Sequence, residues 1–358
     1  MVKRAWTLLT TLALATGLLA AAAAAQGPTA PPGLARALAA QERATAAILD
    51  RPGVVGTAVA VENGRPVVAV LTARGGVAGL PRSVDGVDVV VRVTGPIKAL
   101  HHRPGHSGGP PTSSPPPPPP PPPPSPPPGG GTDPKARFDR PVPIGVSTGN
   151  EGECSAGTIG ARVRSGTTVY ALSNNHVYAR ENRAPLGSRV LQPGRLDTGC
   201  TIDANNVLGT LSAFVPITMS TSASNRVDAA IAVSDTARLG NSTPSNGYGT
   251  PQSATVSAAV GQSVQKYGRT TGHTQGTITM VNATVNVGYS TGTARFVGQV
   301  IVESSGAFIQ PGDSGSLLVT SNRNPVGLLF AGSSNGRLAV ANRIQDVLNA
   351  FGVTVDGS

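Results

Sequence analysis

Charged side chains, aromatic rings and cysteines are all scarce in this sequence of 358 residues. Only 13% of the residues are charged and 3% are aromatic, whereas Gly, Ala, Ser, Thr and Val are abundant. Such a composition favours short strands joined by many turns and disfavours a helical protein. The sequence therefore predicts one sizeable β-rich domain with smaller appendages.

A basic cluster interleaved with aromatic residues, which would indicate a nucleic-acid-binding surface, is missing from residues 141–358. The formal net charge of the whole chain is +10, but this region holds 14 Lys and Arg against 11 Asp and Glu, or +3. The remaining +7 lies in residues 1–140. We therefore expect no nucleic-acid partner.

Residues 6–25 form an apolar stretch that follows Lys3 and Arg4 and ends in Ala-Ala-Ala, directly before Gln26. Signal peptidase cuts the chain after small residues of this kind, so residues 1–25 are predicted to be a secretory signal peptide. The alternative is an uncleaved membrane anchor, although an alanine-rich stretch of barely spanning length is a weak one. We expect a secreted, extracellular or periplasmic protein without stable membrane insertion after signal cleavage.

Cys154 and Cys200 are the only two cysteines, and both follow the export signal. In an exported protein such a pair is expected to form a disulfide. Two free thiols are the alternative. Because no cysteine lies near the signal-cleavage site, attachment as a lipoprotein is not supported.

Residues 34–100 predict a small α+β unit. An alanine-rich helix is expected before Pro52-Gly53, and a third strand at residues 87–93 follows a hairpin. The hairpin is indicated by Asn63-Gly64, a strong turn signal between two strand-like segments. A prosegment that assists folding or covers an active site is one role for this unit, and an accessory or attachment domain is the other.

Residues 101–140 are predicted to be a disordered proline-rich linker, with ten consecutive prolines at 115–124. Polyproline II, at about 3.1 Å per residue, would make a semi-rigid spacer that separates the flanking domains by several nanometres if fully extended. His101, His102 and His106 lie within the linker, before the ten prolines, and lack a fixed scaffold, so we expect no metal site there.

Ser314 is the candidate nucleophile, because it lies in Gly312-Asp313-Ser314-Gly315-Ser316 between two apolar strand-like segments. Gly312 lacks a Cβ, so its backbone can turn sharply and direct its N–H towards the space before Ser314 Oγ. With the N–H of Ser314 it could form an oxyanion hole. The sequence Gly-Asp-Ser-Gly is also common in ordinary turns. The assignment of Ser314 as a nucleophile therefore depends on whether the chain offers a base and an orienting group for it.

A serine nucleophile needs a base and a group that orients the base. His176 ends a strand at a polar corner, whereas His273 lies in Gly-His-Thr-Gln-Gly, which predicts a solvent-facing hairpin turn. His176 is therefore the candidate base.

Apart from Asp313, four aspartates between the histidine and the serine are candidates for the orienting group. Only Asp228 opens directly into a small apolar run, Ala-Ala-Ile-Ala-Val, where an unpartnered charge would be costly. Asp313, beside the nucleophile, is interpreted as structural. The three other aspartates are Asp197, Asp203 and Asp235.

The order His176, Asp228, Ser314 excludes two other folds that carry this chemistry. No histidine follows Ser314, and residue 316 is Ser, so the Ser-Asp-His order and nucleophile elbow of α/β-hydrolases are impossible. Subtilisin-like enzymes place the aspartate before the histidine. The remaining order is that of chymotrypsin-like enzymes.

On these residues the chain resembles the trypsin/chymotrypsin-like serine peptidases, in the branch containing the plant narrow-leaf protein and its bacterial relatives. The resemblance covers residues 141–355 well and 34–100 more loosely. It departs from the digestive enzymes at Asn175 and Ser316 and in having two cysteines, which leaves substrate preference open. The matching motifs are Ser-Asn-Asn-His-Val-Tyr-Ala (173–179), Val-Asp-Ala-Ala-Ile-Ala (227–232), Lys-Tyr-Gly-Arg-Thr-Thr-Gly (266–272) and Pro-Gly-Asp-Ser-Gly-Ser (311–316).

Two groups of strand-like segments predict an all-β peptidase domain at 141–358, with two antiparallel β-barrels of the chymotrypsin-like kind. His176 and Asp228 belong to the first group and Ser314 to the second, so the active site is expected in the cleft between them. Apolar residues at helical spacing over 344–351 predict a C-terminal helix packed on the second barrel.

The predicted function is a secreted serine endopeptidase acting on polypeptides, with Ser314 as nucleophile, His176 as base and Asp228 as its orienting group. No metal or cofactor is implied. The alternatives are a non-catalytic peptide-binding module on a proline stalk and a serine esterase. The substrate pocket is predicted to be formed by Phe308, Ile309, Phe330 and Gly332.

Overall fold

The computed structural model of the protein describes residues 31–100 and 132–358. The predicted signal peptide, the ten prolines and the three histidines beside them lie outside the described residues. Within the two described ranges, none of the helices combines the length and the apolar character needed to cross a membrane.

Residues 34–100 contain one helix and five strands. The Asn63-Gly64 turn between the first two strands has positive φ at both residues, which is the geometry of a two-residue hairpin turn. The helix packs on this hairpin through Ala37 and Ala40, which meet Val59 and Val68. The elements are α1 (Leu34–Leu49), β1 (Val54–Glu62), β2 (Arg65–Thr72), β3 (Ser83–Val84), β4 (Val87–Val93) and β5 (Ile97–Ala99).

The first sheet of residues 132–358 has eight strands, all paired antiparallel, in the order β19-β8-β9-β12-β11-β10-β6-β7, where β19 is Thr354–Val355. The disulfide between Cys154 and Cys200 closes a loop beside it, with the two Cα atoms 5.0 Å apart, so this prediction is confirmed. The elements are β6 (Ser147–Asn150), β7 (Gly157–Thr158), β8 (Ala161–Ser165), β9 (Thr168–Ser173), α2 (Asn175–Tyr178), β10 (Arg189–Leu191), β11 (Val207–Phe214) and β12 (Ala230–Ser234).

In the second sheet six strands form a closed ring, because β13 pairs with both β16 and β14. The ring runs β13-β16-β17-β18-β15-β14. The predicted all-β fold class with a C-terminal helix is confirmed, and this ring is the second of the two predicted antiparallel barrels. The elements are β13 (Ser263–Gly268), β14 (Gly272–Gly288), β15 (Thr293–Glu303), β16 (Leu317–Thr320), β17 (Pro325–Ser333), β18 (Leu338–Arg343), α3 (Ile344–Phe351) and β19 (Thr354–Val355).

The C-terminal helix α3 buries Ile344, Val347 and Leu348, three of the positions expected from its spacing. These side chains share an apolar cluster with residues of both sheets, including Leu172 and Leu328. The strand β19 that follows pairs with β8 of the first sheet. The helix therefore joins the two sheets, whereas the spacing alone predicted packing on the second.

The N-terminal unit extends the second sheet. Strand β1 pairs antiparallel with β14, with Gly56 facing Val285 and Ala60 facing Met280. A Cβ at Gly56 would lie 2.8 Å from the carbonyl oxygen of Thr284, so glycine permits this close approach. The separation by several nanometres expected from a fully extended linker is not observed, because β14 presents a free edge that β1 covers.

Candidate active site

His176 and Asp228 form a buried pair in the first sheet. Strand β9 ends at Ser173, and His176 lies in the short helix α2 that follows. Asp228 precedes β12, which pairs with β9 so that Ala230 faces Ser173. His176 Nδ1 is 2.6 Å from Asp228 Oδ2, and the backbone N–H of His176 donates to Asp228 Oδ1 at 3.2 Å. Both side chains are fully buried.

This pairing determines which ring nitrogen of His176 can act as a base. A carboxylate facing Nδ1 holds the proton of the neutral imidazole there, so Nε2 is the atom able to accept another proton. The corner is held by Asn174, whose side chain donates to the carbonyl of Asp228 at 2.7 Å, and by Asn342, which accepts from Asp228 N–H at 3.0 Å.

Tyr289, just after β14, gives Asp228 a further hydrogen bond. Its hydroxyl donates to Asp228 Oδ2 at 2.8 Å, and its ring meets the His176 ring edge-on with centroids 6.0 Å apart. Burial and the nearby Asp228 carboxylate raise the pKa of Tyr289 well above its ordinary value. The phenol therefore stays protonated and remains a donor at neutral pH.

Ser314 lies in the loop that enters β16, where this loop meets the first sheet. Its carbonyl accepts from the N–H of Thr158, in β7, at 2.8 Å. Gly315 has φ +94°, and a Cβ at this position would collide with Thr158 O and Ser173 Oγ. Gly315 thus allows both the left-handed backbone and the close approach to Thr158 and Ser173. These two features place Ser314 against the sheet that carries His176.

Gly157 brings the two parts of the site together. A Cβ there would lie 3.1 Å from Ser314 O on one side and would overlap Val177, the residue after His176, on the other. Ser314 Oγ itself donates to the carbonyl of Phe330 at 3.2 Å, and the side chain is fully buried. The structure thus places the predicted nucleophile at the junction beside the His176 helix.

Asp313 fixes the loop before the serine. Its carboxylate accepts from Thr271 Oγ1 at 2.8 Å and from the backbone N–H groups of Thr270 at 2.8 Å and Gln310 at 2.9 Å. Lys266 Nζ lies 3.5 Å from the same carboxylate, and both side chains are fully buried. Burial lowers the pKa of Lys266, while Asp313 opposes this shift. These contacts agree with a structural role for Asp313.

The N–H of Gly312, predicted to contribute to an oxyanion hole, donates to the carbonyl of Leu100 at 3.0 Å. Gly312 has φ +101°, so the loop uses the left-handed conformation that glycine allows. Of the predicted pocket residues, Phe308 and Ile309 are fully buried in one apolar cluster that also contains Leu100. A Cβ at Gly332 would lie 3.1 Å from Ile309 Cγ2.

Part of the chain matches a known protein family. Residues 204–356 match the family described as the Nal1 C-terminal domain. Streptogrisin-A of Streptomyces griseus is 33% identical, and the match covers 33% of this chain and 46% of that protein. The chain is similar to the trypsin/chymotrypsin-like serine peptidases. The resemblance predicted from the motifs is confirmed, and the chain spans about half the length of this curated relative.

Three solved structures are also similar to this peptidase-like chain. A glutamic acid-specific serine protease is 22% identical with a TM-score of 0.45, covering 60% of this chain and 100% of that chain. Thermobifida fusca protease A is 22% identical with a TM-score of 0.44, covering 61% and 99%. Cellulomonas bogoriensis chymotrypsin is 25% identical with a TM-score of 0.42, covering 62% and 100%.

The other candidate base and orienting residues have different partners. His273 lies at the start of β14, in the turn from β13, and its Nε2 is 2.8 Å from a glutamine side chain at the surface. Asp197 accepts from Arg269 Nε at 2.9 Å. The remaining two, Asp203 and Asp235, form surface ion pairs with Arg137 and Arg238.

Sequence reasoning missed Tyr289 and Asn342, which orient Asp228 from the second sheet. No local pattern marks either residue, because each reaches the site through the packing of one sheet on the other. Lys266 and Thr271 do lie in one of the motifs that carry the resemblance. The motif does not indicate that these two side chains contact the Asp313 carboxylate.

The structure describes residues 31–100 and 132–358. Within these ranges, His, Cys, Asp and Glu side chains do not gather in sets of three or more suited to metal binding.

Proposed function

We propose that this chain is a secreted serine endopeptidase that hydrolyses peptide bonds through an acyl-enzyme. The observation that carries the proposal is the fully buried pair of His176 and Asp228, 2.6 Å apart, at the junction that also holds Ser314. Similarity to Streptogrisin-A supports it.

In the proposed mechanism Ser314 Oγ attacks the carbonyl carbon of the substrate while His176 Nε2 takes the hydroxyl proton. Asp228 keeps the other imidazole proton on Nδ1 and stabilises the imidazolium that forms. The N–H groups of Gly312 and Ser314 donate to the negatively charged oxygen. His176 then returns its proton to the leaving amine, and water hydrolyses the ester on Ser314 by the same steps.

The substrate pocket is proposed to take apolar side chains of small or middle size. Phe308, Ile309 and Phe330 are fully buried and apolar, and Gly332 leaves space beside Ile309. A Lys or Arg side chain entering such a pocket would lose its hydration without gaining a counter-charge. Polypeptides are the proposed partners, and no nucleic acid or metal takes part.

Export is supported by the signal-like residues 1–25 and by the disulfide between Cys154 and Cys200. Disulfides persist in oxidising compartments outside the cytosol. We therefore place the active protein outside the cell or in the periplasm, without stable membrane insertion after the signal is removed.

The test is hydrolysis of casein by the purified protein, with and without a serine-directed phosphonate. We expect hydrolysis that the phosphonate blocks and that the Ser314→Ala variant lacks while keeping its circular dichroism spectrum. Turnover of small esters without turnover of casein would support the esterase instead. Specific binding of casein peptides with no turnover of either substrate would support a non-catalytic module.

A further inference from the structure

The segment that ends the N-terminal unit lies along the edge of the second sheet beside Ser314. We call residues 97–100 the cleft strand. It runs antiparallel to β17, with Ala99 facing Ala331 and Ile97 facing Ser333. The N–H of Leu100 donates to the carbonyl of Phe330 at 3.3 Å. An extended peptide bound by strand addition makes this kind of main-chain contact.

The carbonyl of Leu100 lies against one of the two N–H groups of the predicted oxyanion hole. Its oxygen accepts from the N–H of Gly312 at 3.0 Å, and Gly312 precedes the nucleophile by two residues. Phe330 O accepts both the N–H of Leu100 and the hydroxyl of Ser314, at 3.3 and 3.2 Å. Leu100 and the Ser314 hydroxyl are therefore neighbours around one acceptor.

The side chain of Leu100 fills the predicted substrate pocket. The residue is only 7% exposed and shares an apolar cluster with Phe308 and Ile309. A Cβ at Gly332 would lie 3.3 Å from Leu100 Cδ1, so the missing side chain at 332 leaves room for the leucine. The pocket accommodates an aliphatic side chain of middle size.

Ile97 fills a second apolar site, three residues earlier. It is 2% exposed and packs in the cluster that contains Met280, Phe296 and Phe330. Lys98, between the two sites, is exposed. The contacts of the cleft strand are therefore apolar at its first and last residues.

We propose that the cleft strand binds as a substrate and that the chain cleaves its own peptide bond after Leu100. Because this cleavage needs the activity proposed above, it rests on the proposed function. Peptides with Leu before the scissile bond and an aliphatic residue three positions earlier form the corresponding substrate class. After cleavage the pairing of β1 with β14 keeps the N-terminal unit attached to the rest of the protein.

The step is hydrolysis of one amide by one water. Ser314 Oγ bonds to the carbonyl carbon of Leu100 and its proton moves to His176. The bond from that carbon to the nitrogen of His101 breaks, and the nitrogen receives the proton from His176. Water then attacks the Leu100 ester, which restores the Ser314 hydroxyl and leaves a carboxylic acid on Leu100, ionised at neutral pH.

The first test is the intact mass of the full chain after purification. We expect the wild type to give one fragment that ends at Leu100 and one that begins at His101. The two should elute together in native size-exclusion chromatography and separate in urea. Ser314→Ala should remain a single chain. A wild type that hydrolyses casein yet stays uncut after Leu100 overturns the inference and leaves the proposed function standing.

The second test compares Leu100→Asp with Val93→Asp, a matched change at an exposed position of the same N-terminal unit. A carboxylate in the apolar pocket is unfavourable, so cleavage after residue 100 should slow by about 10-fold or more in Leu100→Asp. Val93→Asp should be cut at the wild-type rate. Equal rates for the two variants would contradict the placement of Leu100 in the pocket.

The third test uses small substrates and does not depend on how the variants fold. Acetyl-Ile-Lys-Ala-Leu-p-nitroanilide should have a kcat/KM about 10-fold above that of the peptides with Asp in place of Leu or of Ile. Equal turnover of the three peptides overturns the proposed substrate class. A protein that hydrolyses neither casein nor any of these peptides refutes the proposed function and the inference with it.

Discussion

Tyr289 donates its hydroxyl proton to Asp228 Oδ2 at 2.8 Å, the same oxygen that faces His176 Nδ1. Asp228 belongs to the first sheet, whereas Tyr289 follows a strand of the second. The orientation of the acid therefore depends on how the two sheets pack.

Removing this hydroxyl should slow catalysis without abolishing it. In Tyr289→Phe the carboxylate keeps its contacts with His176 but loses a hydrogen bond to a charged group, so kcat should fall by about 10-fold and KM should change little. Tyr170→Phe, which removes a hydroxyl from β9, is the control. Steady-state kinetics on one peptide substrate gives both values, and a kcat equal to that of the control would contradict the prediction.

Asp228→Asn should be far more damaging. An amide at this position cannot stabilise the imidazolium and can favour the wrong tautomer of His176, so kcat should fall by about 10⁴-fold while the fold persists. Asp235→Asn, a surface carboxylate paired with Arg238, should keep wild-type activity. Burst and steady-state assays measure the loss. Activity near wild type in Asp228→Asn would exclude it from the mechanism.

Lys266→Met should destabilise the protein. Asp313 would then keep a buried carboxylate without its cation, which costs about 3 kcal/mol of unfolding free energy. Lys135→Met, at an exposed position, should change stability by less than about 0.5 kcal/mol. Urea unfolding of both variants gives the comparison. Equal midpoints would show that the ion pair does not stabilise the loop.

Glu181 gives a pH-dependent test of the loop that carries Tyr289. Burial would raise the pKa of Glu181, but hydrogen bonds from Thr291 and Ser290 outweigh it and hold the pKa below its ordinary value of 4.5. Because the pKa is lower in the folded state, ionised Glu181 stabilises the fold at pH values above the unfolded-state pKa. This stabilisation is lost as the pH falls through the folded-state pKa. Glu181→Gln should therefore be less stable than wild type at pH 7, and the difference should shrink below pH 4.5. A difference that is constant with pH in urea unfolding would be the opposite result.

Cleavage should show no preference for Lys or Arg before the scissile bond. The buried residues Phe308, Ile309 and Phe330 offer no counter-charge to a cation. A peptide-library profile, read by mass spectrometry, should be dominated by aliphatic residues. A profile dominated by Arg would contradict the proposed pocket.

Features set by local sequence could be predicted. The Asn63-Gly64 turn, the polar corner at His176 and the glycine-rich loop at Ser314 depend on the conformations that a few adjacent residues allow. The pairing of Cys154 with Cys200 could be predicted because the sequence contains no other cysteine.

Features that depend on distant segments could not be predicted. Strand β14 runs from Gly272 to Gly288, and the edge that pairs with β1 exists only once the sheet is formed. The coverage of that edge by β1, the position of Tyr289 and the docking of Leu100 all follow from the packed sheets, and sequence periodicity carries no information about them.

The pairing of Gly56 with Val285 also has a kinetic consequence, since the two residues are 229 positions apart in the chain. Strand β1 leaves the ribosome long before its partner, and ordering so large a loop costs entropy before the contact is formed. Such non-local pairing slows folding. The last stage of folding is therefore expected to be the docking of the earliest-synthesised strand onto a sheet made near the end of synthesis.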